Sequence, residues 1–267
     1  MRSAQSRIFA VSTQVAVLVA AIAVWQACSW AGVLPADSFP SVADIGSELA
    51  LLLQSSYLWT AVGQTLQGWG TGLLLGGGLA LLVGTVLGRN WFAYASVMPV
   101  IEFLKTVPTI AILPLVIVVF GPTMEMKVFL VAWGIFWALT IQVIYGVRAV
   151  DPVVRDNARI LHLKGFRLFA TVTLPSAAPF LATGLRVAAA VGLILTVIAE
   201  LIGGAAGLGL NILTAENAGP SELPAMYSYI LMTGVVGILV TALFTVVERR
   251  VLHWHESQRN LRAAAVR

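Results

Sequence analysis

Long runs of hydrophobic residues, separated by short polar segments, dominate this chain. A helix needs roughly 20 apolar residues to cross the hydrocarbon core of a bilayer, and six stretches of this kind occur. The predicted spans are residues 8–27, 66–87, 91–120, 128–147, 179–201 and 226–247. The pattern therefore predicts an all-α, polytopic membrane protein with six transmembrane helices.

The third predicted span is irregular. Two charged residues and three prolines interrupt it, namely Glu102, Lys105, Pro99, Pro108 and Pro114. Proline lacks a backbone donor and disfavours helix in the residue before it. We therefore expect this helix to break near residues 105–108.

The composition supports a membrane protein. Hydrophobic residues make up 59% of the chain and charged residues 10%, whereas soluble domains carry about 25% charged residues. The net charge of +4 does not indicate nucleic-acid binding, because the basic residues form no stripe interleaved with aromatic residues. Cys28 is the only cysteine, which excludes an intrachain disulfide and a cysteine-based metal site.

Basic residues lie almost entirely in loops that fall on one side of the membrane if the chain crosses it six times. They are Arg2, Arg7, Arg89, Arg148, Arg155, Arg159, Lys164, Arg167, Arg249, Arg250, Arg259, Arg262 and Arg267. The opposite side carries Asp37, Asp44, Glu48, Glu125, Glu216 and Glu222, with Lys127 as its only basic residue. Because cytoplasmic loops retain positive charge, we predict a protein of the inner (plasma) membrane with both termini in the cytoplasm.

The first span has the basic start of a signal peptide. Its apolar run is longer than usual, however, and no small-residue cleavage pattern precedes Cys28, so we interpret it as a membrane helix.

Residues 41–53 show a helical apolar pattern with Ser41 and Asp44 as capping residues, which predicts an interfacial helix on the outer face. The predicted organisation is a first span plus outer helix (1–60), a core of five spans (61–255) and a basic cytoplasmic tail (256–267).

Small residues recur every four positions along the second span. This stripe consists of Gly68, Gly72, Gly76, Ala80, Gly84 and Gly88. Gly184, Ala188 and Gly192 repeat the pattern in the fifth span. Lipid gives helices little hydrophobic reason to associate, so close backbone contact must supply it. We interpret the stripes as internal packing faces, with the third span against Gly76; a sliding surface for conformational change is the alternative.

Four charged residues lie within predicted spans: Glu102, Lys105, Arg186 and Glu200. Charges in a membrane are costly, which makes these residues candidates for a pathway or gate. Glu102 and Lys105 are three residues apart and can pair on a helix, and we expect Glu102 also to reach Arg186 in a structural ion cluster. Glu200 precedes the glycine-rich, flexible residues 203–207, and we interpret it as a gate residue.

The connection between the fourth and fifth spans, residues 147–180, is too long and too patterned for a simple linker. Asp151 and Pro152 mark the start of one short amphipathic helix, and Gly165 breaks it. A second apolar segment then leads to the fifth span. Such a basic elbow, residues 153–174, either lies on anionic lipid or docks into a soluble partner.

The elbow resembles the EAA loop of ABC importer permeases, whose pattern is Glu-Ala-Ala, then Gly, then Ile-x-Leu-Pro. Alignment on residues 172–175 preserves the family's spacing and places Asp156, Asn157 and Ala158 on the Glu-Ala-Ala positions. His162 stands where the glycine is expected, and Gly165 matches a second glycine of one subfamily.

Four other segments, residues 103–121, 145–152, 184–188 and 197–209, resemble permeases of the nitrate, sulfonate and taurine importer group, and the resemblance spans about residues 60–255. It implies a permease that forms a homodimer and carries a small polar or anionic solute. It also implies two separate ATPase subunits that hold ATP and Mg, and an extracytoplasmic substrate-binding protein. ATPase coupling would fall on Asp156, Asn157, Ala158, His162, Gly165, Leu174 and Pro175. Relatives in this group also serve thiamine-pyrimidine and riboflavin uptake, so such a cargo is the alternative.

Other chemistry finds little support in the sequence. His253 and His255 have only Glu248 or Glu256 nearby, so we predict no metal site. No phosphate-binding loop and no hydrolase or zinc-protease motif occurs, so we expect a non-enzymatic subunit without a cofactor of its own. A secondary transporter would need matched broken helices in two halves, and only the third span is of that kind. A purely structural membrane scaffold is the remaining alternative.

Overall fold

The computed structural model describes residues 2–35 and 37–252, which form helices joined by short turns. The α-helices are α1 (Arg2–Trp30), α2 (Val42–Gln54), α3 (Ser56–Arg89), α4 (Trp91–Lys105), α5 (Leu113–Phe120), α6 (Met124–Arg148), α7 (Pro152–Ile160), α8 (Gly165–Leu168), α9 (Leu174–Leu201), α10 (Leu208–Asn217) and α11 (Leu223–Val251). Short 3₁₀ turns cover Thr109–Ile112 and Pro220–Glu222, and a π-helical turn covers Phe169–Thr173. The predicted basic tail, His253, His255 and Glu256 lie outside the described residues.

The predicted all-α, multi-span architecture is confirmed. Five helical stretches are long and apolar enough to cross a membrane, and a sixth span is possible if α4 and residues 109–120, which are bent by 78°, cross together. The bend follows Lys105, and Pro108 directly precedes the 3₁₀ turn. The break therefore lies where the prolines of the third span predicted it.

The helices extend beyond the predicted spans where a polar residue caps them. α3 begins at Ser56, well before residue 66, because the Ser55 side chain accepts a hydrogen bond from the backbone N–H of Tyr57. α2 coincides with the predicted interfacial helix, and Ser41 Oγ accepts a hydrogen bond from Asp44 N at 3.1 Å. Capping residues thus fix where these helices begin, which the length of the hydrophobic run alone does not predict.

α6 is the central helix of the bundle, and the small-residue stripe of α3 lies directly against it. A Cβ added at Gly72, Gly84 or Gly88 would collide with Val131, Val143 or Val147, respectively. At Gly76 the collision would be with the backbone of Ala132. The expectation that the third span packs on Gly76 is therefore wrong. A stripe of small residues determines how closely a helix approaches but not which helix does so.

The opposite side of α6 receives the second small-residue stripe. Gly184 of α9 lies against Gln142, and Gly192 lies against Ile135. Buried residues of α6 then form the core shared by α3, α9 and α11: Val131, Ile135, Leu139, Val143 and Val147. Both stripes are internal packing faces, as the sequence predicted.

The remaining helices surround the centre formed by α3, α6 and α9. Ser228 of α11 donates a hydrogen bond to Ile45 O of α2 at 3.1 Å. α1 lies at the periphery, where Trp25 packs edge-on against Phe39 and Tyr227. The elbow leads into the start of α9, and the turn to α10 follows its end. Because α9 is a long helix, the elbow and the α9–α10 turn lie at opposite ends of the bundle.

Candidate functional site

The elbow opens with a capped helix. Asp151 precedes α7, and its Oδ1 accepts a hydrogen bond from Val153 N at 2.7 Å. Pro152 occupies the first turn of α7, where the N–H that proline lacks would have no helical partner in any case. The predicted start of this helix is confirmed.

α7 ends in a tight reversal built on two residues with positive φ. His162 has φ of 56° and Gly165 has φ of 55°. Leu163 N donates to Ala158 O at 3.0 Å and His162 N donates to Arg159 O at 2.9 Å, which is the hydrogen-bond pattern of a Schellman cap. Histidine is one of the few residues enriched in the left-handed region. His162 therefore makes the turn that the family's glycine would make.

The second half of the elbow runs into α9 without a break. Residues 165–201 form one apolar helical stretch that includes the π-helical turn Phe169–Thr173. The sequence predicted a second apolar segment leading to a fifth span that begins at residue 179, but α9 begins at Leu174 and Pro175 lies in its first turn. Proline is tolerated at such a position, directly after a π-helical turn that already departs from regular hydrogen bonding. The second half of the elbow is thus helically continuous with α9, which packs on α6.

The aligned coupling residues do not share one environment. Asp156 pairs with Arg159 on the exposed face of α7 at 2.9 Å, and Asn157 is also exposed. Ala158, expected to contact a partner protein, is instead buried within its own chain. The exposed large apolar residues of the elbow are Val153, Val154, Ile160, Leu161, Phe166 and Leu174. These six side chains, rather than Ala158, are available to a partner.

A buried ion pair lies at the other end of the bundle. Lys127 of α6 and Glu200 of α9 are both fully buried, with Nζ 2.8 Å from Oε1. Lys127 Nζ also donates to Gln64 O at 3.0 Å and to Ala206 O at 2.7 Å. Its three donors are therefore all used.

The carboxylate of Glu200 is equally well satisfied. Its Oε2 accepts hydrogen bonds from Thr65 Oγ1 and from Gly209 N, both at 3.0 Å. Thr65 Oγ1 in turn accepts one from Leu208 N at 2.9 Å. The ion pair thus ties α3, α6 and α9 to the first turn of α10.

The glycine-rich run before α10 is packed against this pair, in contrast to the flexible segment expected from the sequence. Gly207 has φ of 155°, and a Cβ there would collide with the Glu200 carboxylate. Ala205 is fully buried. Small residues are required here because the backbone lies directly against buried charges, which holds the turn in one place.

The other charges within the spans are arranged differently from the predicted ion cluster. Glu102 and Lys105 lie 4.0 Å apart and are both partly exposed. Arg186 contacts Glu248 of α11 at 3.2 Å, so the expected reach of Glu102 to Arg186 is wrong. The antiparallel packing of α9 and α11 brings Arg186 beside the last turns of α11. Among the described residues, no three His, Cys, Asp or Glu side chains are grouped as metal ligands.

Sequence reasoning missed Lys127 and Thr65 as partners of Glu200. The charge pattern places Lys127 in a polar loop, although it lies in the first turn of α6 and is fully buried. One signal was present, because Lys127 is the only basic residue on an otherwise acidic side. A lone lysine there and a lone carboxylate at the end of another span are natural partners.

Comparisons with known proteins identify the family of this chain. Residues 72–253 match the family described as the binding-protein-dependent transport system inner membrane component. The chain is 31% identical over 236 residues to the putative aliphatic sulfonates transport permease protein SsuC of Bacillus subtilis (strain 168), which covers 88% of this chain and 85% of that protein. It is 27% identical over 195 residues to the nitrate import permease protein NrtB of Leptolyngbya laminosa, which covers 73% and 69%.

Among solved structures, the chain is similar to the MetNI methionine ABC transporter in an inward-facing conformation. The TM-score is 0.64 at 17% sequence identity, and the match covers 73% of this chain and 96% of that one. Similarity at this identity concerns the fold, and it confirms the all-α, multi-span architecture. With the family match over most of its spans, the chain belongs to the binding-protein-dependent transport system inner membrane components, the permease family of ABC transporters.

Proposed function

We propose that this chain is the permease subunit of an ABC importer for a sulfonate- or nitrate-class anion. The family match supports the transport role, and the names of the relatives support the cargo class. In this proposal two ATPase subunits, which hold ATP and Mg, act on two copies of this chain. An extracytoplasmic binding protein delivers the solute, and both termini lie in the cytoplasm.

The observation that carries the proposal is the helical junction between the elbow and α9. Apolar side chains protrude from the elbow, with Phe166 80% exposed, and the elbow continues into α9 through helical turns. A force applied to these side chains is transmitted along α9 to α6, because the two helices meet at glycines. A soluble ATPase that closes on ATP and grips the elbow would thereby move the central helices.

The same arrangement supports a complex with two copies of this chain. One chain presents one elbow, and a pathway between identical subunits is closed most simply by two-fold symmetry. Each copy would then present its elbow to one ATPase. The acidic end of the bundle, opposite the elbow, would face the binding protein.

Phe166→Ser tests the coupling role of the elbow. We expect association with the ATPase to weaken by about 2 kcal/mol, roughly 30-fold, because an exposed aromatic anchor is lost. The measurement is co-purification and titration of the ATPase with the full-length permease, with membrane insertion monitored in parallel. Phe92→Ser is the matched control, since Phe92 is 79% exposed but lies outside the elbow. Normal association and transport in the Phe166 variant would contradict the proposal.

The orientation is tested by cysteine labelling in intact cells. In a Cys28→Ser background, we expect Glu216→Cys to react with a membrane-impermeant maleimide added outside, because residue 216 is exposed at the acidic end. Arg159→Cys, exposed on the elbow, should react only after the cells are opened. The reverse pattern would refute the assigned orientation while leaving the helical fold unaffected.

A further inference from the structure

A cavity of about 310 Å³ opens at the end of the bundle opposite the elbow. Six polar or charged side chains from different helices and turns line it: Glu48 of α2, Tyr57 of α3, Asn211 and Thr214 of α10, Glu222 before α11 and Tyr229 of α11. A volume near 300 Å³ is at the lower end of the range for small-molecule sites, so the cavity suits a small group rather than a large ligand.

The charge of this cavity is entirely negative. Glu48 and Glu222 line the same small space, and no lysine or arginine is among the lining residues. Within the part of the chain that the structure describes, neither carboxylate has an ion-pair partner. Lys127, the basic residue of this end, is fully buried and committed to Glu200. Two carboxylates facing one cavity favour the entry of a cation.

Asn211 supplies an independent indication of a ligand. Its side chain is only 6% exposed, and its Oδ1 accepts a hydrogen bond from the Tyr57 hydroxyl at 3.0 Å. Its Nδ2 is buried and has no hydrogen-bond partner among the described residues. Buried polar atoms are nearly always satisfied. If the amide rotates by half a turn, Nδ2 donates to Tyr57 and Oδ1 becomes the free atom, able to accept a hydrogen bond from a ligand.

The wall that carries Asn211 is held in position. The first turn of α10 is tied to the buried ion pair, since Gly209 N donates to Glu200 Oε2 at 3.0 Å. Leu208 N donates to Thr65 Oγ1 at 2.9 Å. The cavity is therefore preformed on a rigid element, which lowers the entropic cost of binding.

We propose that this cavity is a binding site for an organic cation, namely an alkylammonium or alkylguanidinium group. Its N–H donors would contact the carboxylates of Glu48 and Glu222, and one of them would reach the amide oxygen of Asn211. The two carboxylates would repel a sulfonate or nitrate, so the cavity is distinct from the path of the anionic cargo. The cation is supplied either by a free amine or by a lysine or arginine side chain of the external binding protein; the second source rests on the proposed function.

The test uses the full-length permease in lipid nanodiscs, with propylguanidinium as the probe and neutral propylurea as its control. We expect propylguanidinium to bind saturably and propylurea not to bind. Calorimetry or ligand-detected NMR measures the binding. Glu48→Gln and Glu222→Gln should each weaken binding at least tenfold, whereas Glu216→Gln, an exposed carboxylate outside the cavity, should leave it unchanged. An unchanged thermal unfolding midpoint in the glutamine variants shows that they are folded. Equal binding of propylurea, or undiminished binding by the Glu48→Gln, Glu222→Gln double variant, overturns the proposal.

A second arm identifies the source of the cation. p-Benzoylphenylalanine at position 222 is irradiated with the purified binding protein of the same transport system, with position 216 as the control. Cross-linking at position 222 that excess propylguanidinium suppresses assigns the cation to a side chain of that protein. Binding of propylguanidinium without cross-linking assigns a free amine. The probe titration needs no ATPase. Failure of propylguanidinium to bind would therefore overturn the cation site without affecting the elbow experiment, which tests the proposed function separately.

Discussion

Lys127→Met is expected to lower the free energy of unfolding by about 3–5 kcal/mol, because it leaves the Glu200 carboxylate buried without its counter-ion. The substitution also removes the donors to Gln64 O and Ala206 O. Methionine fills much of the space of the lysine stem, so the loss reports mainly on charge and hydrogen bonding. The measurement is reversible unfolding of the full-length chain in detergent, followed by tryptophan fluorescence.

Lys105→Met is the matched control for this change. Lys105 lies 4.0 Å from Glu102, and both side chains are partly exposed, so its removal should cost no more than about 1 kcal/mol. If Lys127→Met unfolds at the same denaturant concentration as Lys105→Met, the buried pair contributes nothing specific to stability.

Exchange of the two charges gives a sharper form of the same test. We expect the Lys127→Glu, Glu200→Lys double variant to remain strongly destabilised, although it keeps one positive and one negative charge. The reason is that position 127 faces two carbonyl oxygens and position 200 faces a backbone N–H. Each site therefore accepts only one sign of charge. Recovery of wild-type stability would show that only the mutual attraction of the pair matters.

The apolar spans and their packing faces follow from local sequence patterns. Hydrophobic length marked the spans, Pro108 marked the break, and Asp151 marked the start of the elbow. The four-residue recurrence of small residues identified the face of α3 that is buried. Each of these features depends on residues that are close in the chain, so the sequence alone is sufficient to find them.

The partners across the bundle did not follow from the sequence. The helix that contacts Gly76 and the residue that pairs with Arg186 both depend on the arrangement of the spans. Ala158 shows the same limit within the elbow, because its position in the family motif indicates a role but not whether it faces a partner or its own chain. Lys127 was missed for a further reason, since a lysine at the start of a span is typical of the membrane surface, and only its partner Glu200 reveals that it is buried.

Gly76→Leu should destabilise the bundle by on the order of 3 kcal/mol, because overpacking forces apart elements that lie at van der Waals contact. A Cβ at position 76 would lie 2.8 Å from Ala132 Cα, and a backbone atom in the middle of α6 has no rotamer with which to move aside. α3 and α6 would then move apart along their contact, and the packing of α9 on the other side of α6 would be disturbed. We expect a lower unfolding midpoint and loss of transport, with membrane insertion retained.

Gly78→Leu separates this steric effect from the general effect of a larger side chain in the same helix. Gly78 lies two residues away, and a Cβ there meets no neighbouring atom within 4 Å. We therefore expect the free energy of unfolding of this variant to lie within about 0.5 kcal/mol of the wild-type value, as is usual for a substitution away from packed or buried groups. Equal losses at positions 76 and 78 would mean that α3 tolerates no large residue on either face. Equal tolerance would mean that α3 does not approach α6 at backbone distance, and the glycine stripe would then need another explanation.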